Sequence, residues 1–391
     1  MRNNVKDNMQ NFAINQALKY IEGNPEENIP KLMSLVDRFT PEGWYQSQRD
    51  AIRQVIEEKN NWYQLILRVY ELDPGVRRAF FQNFLFNASL KGSATQEEVK
   101  ARENCNVPWA ILLDPTSACN MHCVGCWAGE YGNKNNLSFE DMDKIVTQGK
   151  ELGVYLYMLT GGEPLANLES LQKMLDVIPT THKVYINTTF PVQTGFYTAE
   201  EMLDFTRRNR DKITCMNISR HLVKYVEESP DQVLGQIACP TRINCVLYKK
   251  YPAEKLPQYV ERFLPYGIPI QFRYDYTETT PENLYDQDHD PILQDLKRLF
   301  TYRGLDGCRM RNGFHFEYKG LHMTYHKTLP YSTIVEKGDD GVTYDILYDI
   351  LIKQNGEIHS DWTGVKMDVE KYRRVTFEPY DLRVLDGTVD F

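Results

Sequence analysis

The chain has 391 residues with 54 acidic and 45 basic side chains, a formal net charge of −9, 42% hydrophobic content and 25% charged content. That length allows two or three domains and a large core without disulfide or metal staples, and the acidic balance argues against nucleic acid as the main partner. No window offers the ~18 apolar residues of a membrane span, and the N-terminal MRNNVKDNMQNF lacks a signal-peptide core, so a cytoplasmic protein without a membrane partner is expected.

The first hundred or so residues read as helical. Helices are predicted over Asn11–Ile21, Pro25–Phe39, Trp44–Glu58, Asn60–Leu72 and Asp73–Leu90. Asp73 suits an N-cap and Pro74 a first helical position. The polar stretch 92–106 reads as a linker, which closes a helical N-terminal region at 1–106.

From Val107 short apolar runs alternate with helical periods, the pattern of β/α units and a parallel sheet. Strands are predicted at Trp109–Leu113, Val154–Leu159, Lys183–Asn187, Lys212–Ile218, Thr241–Leu247 and Ile270–Tyr274. Helices are predicted at Leu137–Leu152, Leu168–Val177, Thr198–Arg208, Ala253–Leu264 and Asp290–Phe300. Ser138 with Asp141, and Thr198 with Glu201, mark helix starts. Six strands fall short of a closed eight-stranded barrel, so 107–303 is expected to be a partial (β/α)6 barrel in an α/β protein. Residues 304–391 are expected to form an α+β region closing the barrel mouth, with β-hairpins about Lys319-Gly320 in 314–326 and about Asn355-Gly356 in 344–362. The acidic run 274–290 reads as a solvated loop.

Eight cysteines are spread over the chain, and three of them cluster as Cys119-x3-Cys123-x2-Cys126 just after the first predicted strand. In a long chain with no export signal such a cluster reads as a metal site and not as a disulfide framework. Its place is the C-terminal edge of the sheet, where β/α barrels put their chemistry. A [4Fe–4S] cube normally takes four thiolates, so three would leave one iron open to bind and activate a ligand. A zinc site that includes His122 and a scatter of structural thiols are the alternatives. Thr160-Gly161-Gly162-Glu163-Pro164 follows the second predicted strand: the glycines permit close approach of a ligand to backbone, and Glu163 supplies a carboxylate.

Together these two motifs resemble the hallmarks of the radical S-adenosylmethionine (radical SAM) superfamily, over about residues 107–275. The resemblance implies that Cys119, Cys123 and Cys126 hold a [4Fe–4S] cluster whose open iron is chelated by the methionine moiety of S-adenosylmethionine. It implies that the backbone of Gly161 and Gly162 and the carboxylate of Glu163 hold the methionine amino group. Met216-Asn217-Ile218-Ser219-Arg220-His221 falls where the family places polar residues on ribose and carboxylate, so Asn217, Ser219 and Arg220 are cofactor candidates, with Arg242 and Asn244 behind them. The family usually has an aromatic residue just before the third cysteine; here Gly125 stands there, and Trp127 is the candidate for the adenine contact. The Cys-x-Gly-Cys-Trp variant resembles a branch found in anaerobic bacteria.

The activity so implied is reductive cleavage of S-adenosylmethionine to a 5′-deoxyadenosyl radical, which abstracts hydrogen from a peptide or small metabolite. The implied partner is a low-potential electron donor such as flavodoxin or ferredoxin. A non-catalytic zinc or iron–sulfur binding module is the alternative from another class. In the tail, Gly307–His315 is the most site-like segment, with Cys308 as a catalytic candidate. Cys239-x5-Cys245 is the one pair considered for a second cluster. His322, His326 and His359 read as strand filler.

Overall fold

The structure is a computed structural model, and it describes residues 16–39 (without 18), 46–59, scattered positions in 63–92, 93–103, 107–119, 135–179, 182–192, 197–222, 229–248, 250–308, 311–330, 333–337, 343–347 and 349–359. The chain divides into two compact units, Met1–Lys91 and Gly92–Phe391.

In the first unit, helices run over Pro25–Phe39 and Gln46–Glu58. Ile21, Ile29, Val55, Tyr63, Tyr70 and Phe81 form its own buried core. Asp37 ties the two helices, accepting from Arg49 at 3.2 Å and from Arg53 Nε at 2.7 Å. The expected Asp73 cap lies outside the described residues.

The stretch 92–106 is not a linker throughout. Ser93–Glu103 is a helix, and it belongs to the second unit and not to the N-terminal one. Gln96 Nε2 donates to the Gly153 carbonyl at 3.1 Å, and Val99 is buried. Ala, Gln, Glu, Lys and Arg are good helix formers, but a lone buried valine in SATQEEVKARE gives almost no amphipathic signal.

The second unit is built on an 11-stranded sheet of order β13-β12-β1-β2-β3-β4-β5-β6-β9-β8-β7. The strands are β1 Ala110–Leu113, β2 Leu156–Leu159, β3 Lys183–Thr188, β4 Cys215–Ser219, β5 Thr241–Leu247, β6 Ile270–Tyr274, β7 Thr301–Cys308, β8 Arg311–Tyr318, β9 Leu321–Thr328, β12 Asp349–Ile352 and β13 Ile358–His359. Thr333–Lys337 (β10) and Thr343–Leu347 (β11) pair separately as an antiparallel ribbon. The helices predicted between β1 and β6 form at Phe139–Glu151, Leu168–Val177, Ala199–Arg208 and Leu256–Glu261, and Pro291–Leu299 follows β6. Ser138 caps Phe139–Glu151, its side chain accepting from the Asp141 N–H at 3.1 Å, and Thr198 with Glu201 forms a capping box.

The fold is α/β, with the partial barrel of β1 to β6 running in parallel order as expected. The C-terminal region joins the same sheet. β12 pairs in parallel with β1, and β9 in parallel with β6, so residues beyond 304 extend the same sheet at both edges. β6 and β9 are flanked by the antiparallel pair β8 and β7, and β12 by β13. The hairpin about Lys319-Gly320 joins β8 to β9, with φ of 50° and 83° at its two central residues, as a two-residue turn requires. The turn about Asn355-Gly356 also forms, but it joins only β12 to β13, while 343–347 pairs back to β10.

Strand alternation sorts the side chains. Leu113, Leu159, Ile186, Ile218, Ile243 and Phe272 are fully buried against helix residues such as Met174, Phe205, Val260 and Leu296. Each such aliphatic or aromatic side chain contributes about 1.5–3 kcal/mol. The opposite, inner face carries polar residues. Cys239 and Cys245 sit in the helix-facing core, where burial pushes the Cys239 thiol up and leaves it a poor ligand for a second cluster.

A buried ion pair anchors the added strand β9. Lys327 Nζ lies 2.7 Å from Asp290 Oδ2, and both side chains are almost fully buried. Asp290 also caps Pro291–Leu299, accepting from the Ile292 and Leu293 N–H groups, and Tyr325 donates to it at 3.1 Å. Asp290→Ala is expected to cost about 3–5 kcal/mol, because it leaves a buried ammonium with the Asn283 carbonyl but no counter-charge and strands two backbone donors. A lowered urea midpoint would register the loss; a midpoint unchanged would show the pair to be dispensable.

Candidate active site

The cysteine loop begins where β1 ends. Its two flanks are zipped together: Ser117 N–H donates to the Asn135 carbonyl at 2.9 Å, Leu137 N–H to the Pro115 carbonyl at 3.0 Å, and Asn135 N–H to Ser117 Oγ at 3.0 Å. Cys119 stands half-buried at the exit of this stem. Cys123, Cys126 and Trp127 lie outside the described residues, as does the side chain of Cys308, whose backbone ends β7.

The Gly-Gly-Glu-Pro turn packs directly on the stem. Thr160 N–H donates to the Leu113 carbonyl at 2.8 Å, Gly162 N–H to that of Thr116 at 3.0 Å, and Glu163 N–H to that of Ala118 at 2.8 Å. Both glycines are forced by this approach. Gly161 has φ +93°, and a Cβ there would meet Asp114 Cβ at 2.8 Å. A Cβ on Gly162 would lie 2.3 Å from the Ala118 carbonyl oxygen.

Glu163 differs from the expectation for it. Its carboxylate is 2% exposed and accepts four hydrogen bonds from the protein: Leu165 N–H at 3.0 Å, Thr189 N–H and Thr189 Oγ1 at 2.8 Å each, and Thr188 Oγ1. Those four account for the acceptor capacity of a carboxylate. Burial pushes its pKa up, and the donors from Thr188, Thr189 and Leu165 pull it back down.

Asn217 and Arg242 meet on the inner face. Asn187, Asn217 and Arg242 are in register on β3, β4 and β5. Asn217 Nδ2 donates to Asn187 Oδ1 at 2.7 Å, and Arg242 donates to Asn217 Oδ1 through Nε at 3.1 Å and a terminal nitrogen at 2.9 Å. Asn187 reaches Thr160 Oγ1 at 3.4 Å, linking this row to the glycine turn. Ser219 and Asn244 pair in the next row of the same face, and Asn244 Oδ1 is buried with no hydrogen-bond partner among the described residues.

Arg220 is not brought to this face, which corrects the expectation of a carboxylate contact. It follows Ser219, so strand alternation sends it the other way. Its guanidinium is 1% exposed and donates to the carbonyls of Thr189 (2.7 Å) and Ser219 (2.9 Å) and to Ser229 Oγ. Tyr259 donates to its carbonyl at 2.6 Å. Arg220 therefore clamps the ends of β3 and β4 together.

Sequence reasoning passed over Lys183 and Tyr185 on β3, Arg273 on β6 and Thr324 on β9, and read His326 on β9 as filler. Burial lowers the Lys183 pKa to about 7 and raises that of Tyr185 to about 12. The signal was there: strands of a parallel sheet are normally apolar on both faces, so polar residues at alternate positions mark an inner face that holds something.

Residues 113–218 match the model of the radical SAM superfamily. A GTP 3′,8-cyclase of Syntrophomonas wolfei is 27% identical over 178 residues, covering 41% of this chain and 53% of that protein. A probable GTP 3′,8-cyclase of Methanopyrus kandleri is 24% identical over 232 residues, covering 53% of this chain and 72% of the other. The chain thus spans about half the length of the first of these curated relatives (53%). The Streptococcus suis SuiB structure bound to S-adenosylmethionine aligns with a TM-score of 0.48 at 14% identity, over 71% of this chain and 67% of that one. The matched segment, residues 113–218, is thus similar to a radical SAM domain. The cofactors of that superfamily are a [4Fe–4S] cluster and S-adenosylmethionine. Among the described residues no helix is long and apolar enough to cross a membrane.

Proposed function

We propose that this chain is a radical SAM enzyme whose cluster is held by Cys119, Cys123 and Cys126 and whose substrate is a peptide or small metabolite. The observation that carries the reading is the pair of hydrogen bonds from Gly162 and Glu163 to Thr116 and Ala118, which brings the glycine turn against the root of the cysteine loop. The donor chemistry fits: thiolates are the usual ligands of iron–sulfur clusters, and the orphaned Asn244 Oδ1 suits a polar ligand on the inner face. When bound, the cluster and S-adenosylmethionine supply reductive cleavage of the sulfonium and removal of a hydrogen atom from substrate.

The chain's own residues bind and orient. The backbone of Gly161 and Gly162 takes the methionine amino end, and Asn217 and Ser219 take the ribose and carboxylate, with Asn187 and Arg242 fixing the Asn217 amide. Trp127 is the residue assigned to the adenine, on the family resemblance alone. Glu163 acts as a positioning residue, since its carboxylate is committed to Leu165, Thr188 and Thr189. Electrons come from a flavodoxin- or ferredoxin-like donor. Anaerobic reconstitution with iron and sulfide should yield a brown protein that cleaves S-adenosylmethionine under reduction. A colourless protein that holds only zinc would end the reading and leave a binding module in its place.

A further inference from the structure

The inner face of β5, β6 and β9 is cationic in a way that the cofactor contacts above do not use. Register aligns Asn244, Gln271 and Thr324 across these strands, and one step further along it aligns Val246, Arg273 and His326. β8 continues both rows, with His315 opposite Thr324 and Gly313 opposite His326, and Arg311 two residues away on the same face.

Arg273 and His326 are half-buried, and among the described residues nothing hydrogen-bonds to either and no carboxylate pairs with Arg273. Beside them Thr324 is 8% exposed, and its Oγ1 is a buried hydroxyl with no partner among the described residues. Burial first, then the neighbouring guanidiniums of Arg242 and Arg311, lower the Arg273 pKa to about 10, so it stays charged at neutral pH. Burial and the cations Arg242 and Arg273 hold His326 well below the usual histidine range. An enclosed cation surrounded by others of its sign is costly unless an anion joins it, and the planar guanidinium fork matches carboxylate and phosphate.

We propose that Arg273, Thr324 and His326, flanked by Arg242 and Arg311, form a subsite for one oxyanion group of the substrate, a carboxylate or a phosphate. Calling the ligand a substrate rests on the radical SAM reading; the binding of an oxyanion does not. The class of substrate is thereby narrowed to molecules that carry a fixed negative charge.

The test is calorimetric titration of the full-length protein at low ionic strength with inorganic phosphate and, separately, with glutarate. Arg273→Gln should weaken the better-bound probe at least tenfold. Arg303→Gln, at an exposed arginine paired with Glu317, should leave it unchanged. Preference for phosphate would assign a phosphorylated substrate, and preference for glutarate a carboxylic acid. Should Arg273→Gln fail to fold, Thr324→Val and His326→Gln must each weaken the same probe. Equal affinity of wild type and Arg273→Gln, or no binding of either probe to wild type, overturns the subsite. So does an Arg273→Gln protein that loses S-adenosylmethionine affinity while keeping probe affinity, since the cluster would then serve the cofactor. Probe binding without any cleavage of S-adenosylmethionine by the reconstituted enzyme would instead break the radical SAM reading and leave the oxyanion subsite standing.

Discussion

Glu163→Ala is expected to destabilise the sheet unit by about 3–5 kcal/mol, the range for removing one side of a buried, hydrogen-bonded charge. The substitution strands the N–H groups of Leu165 and Thr189 and the hydroxyls of Thr188 and Thr189, all of which now end on one carboxylate. Each buried donor left without an acceptor costs about 1–3 kcal/mol, partly relieved by relaxation and water. Glu163→Gln keeps one acceptor oxygen but turns an NH2 toward donors, so it should fall between wild type and alanine. The urea midpoint measures this, with the slope unchanged. The damage should also reach the cluster, because Glu163 N–H holds the Ala118 carbonyl one residue before Cys119. Iron retention after desalting should drop in the same order, alanine below glutamine below wild type. A Glu163→Ala protein with wild-type stability would show that the carboxylate is not the organising group of the turn.

Cys119→Ala should behave in the opposite manner, removing function while sparing the fold. Cys119 is half-buried at the mouth of the stem and is not part of the helix-facing core. Stability should change by less than about 1 kcal/mol, as for a substitution away from the core. Two thiolates cannot hold a cube that normally needs three or four, so the brown colour and the cleavage of S-adenosylmethionine should fall to background. The core cysteines supply the contrast. Cys239→Ala and Cys245→Ala empty space beside the apolar core, so each should cost about 1 kcal/mol and leave iron content unchanged. Iron lost from either of those variants would indicate a second cluster after all.

The same arrangement explains the two glycines. Gly162 is excluded from carrying a side chain by a backbone oxygen, not by a ligand, and Gly161 by its positive φ and by Asp114. The missing side chains let two loops from neighbouring β/α units touch along their backbones, whatever ligand the turn also holds. That is why the motif works only beside Thr116–Ala118, and why a Gly-Gly pair elsewhere in a chain says little.

Much of this was legible in the sequence. The thiol spacing, the Gly-Gly-Glu-Pro turn and the alternation of β and α periods are local properties, and each is set by a few consecutive residues. Helix caps at Ser138 and Thr198 and the Lys319-Gly320 turn are of the same kind. Alternation alone even decides that Arg220 opposes Ser219, a consequence that residue type obscured. Tertiary structure decided what joins what. That β9 lies beside β6, and β12 beside β1, depends on edges far apart in the chain, and no local period encodes a partner. The four donors of Glu163 include two threonines 25 and 26 residues away, and Arg273 meets Thr324 and His326 only because β9 lies beside β6. Periodicity dictates which face a side chain takes; only packing of the whole sheet determines which side chains then share it.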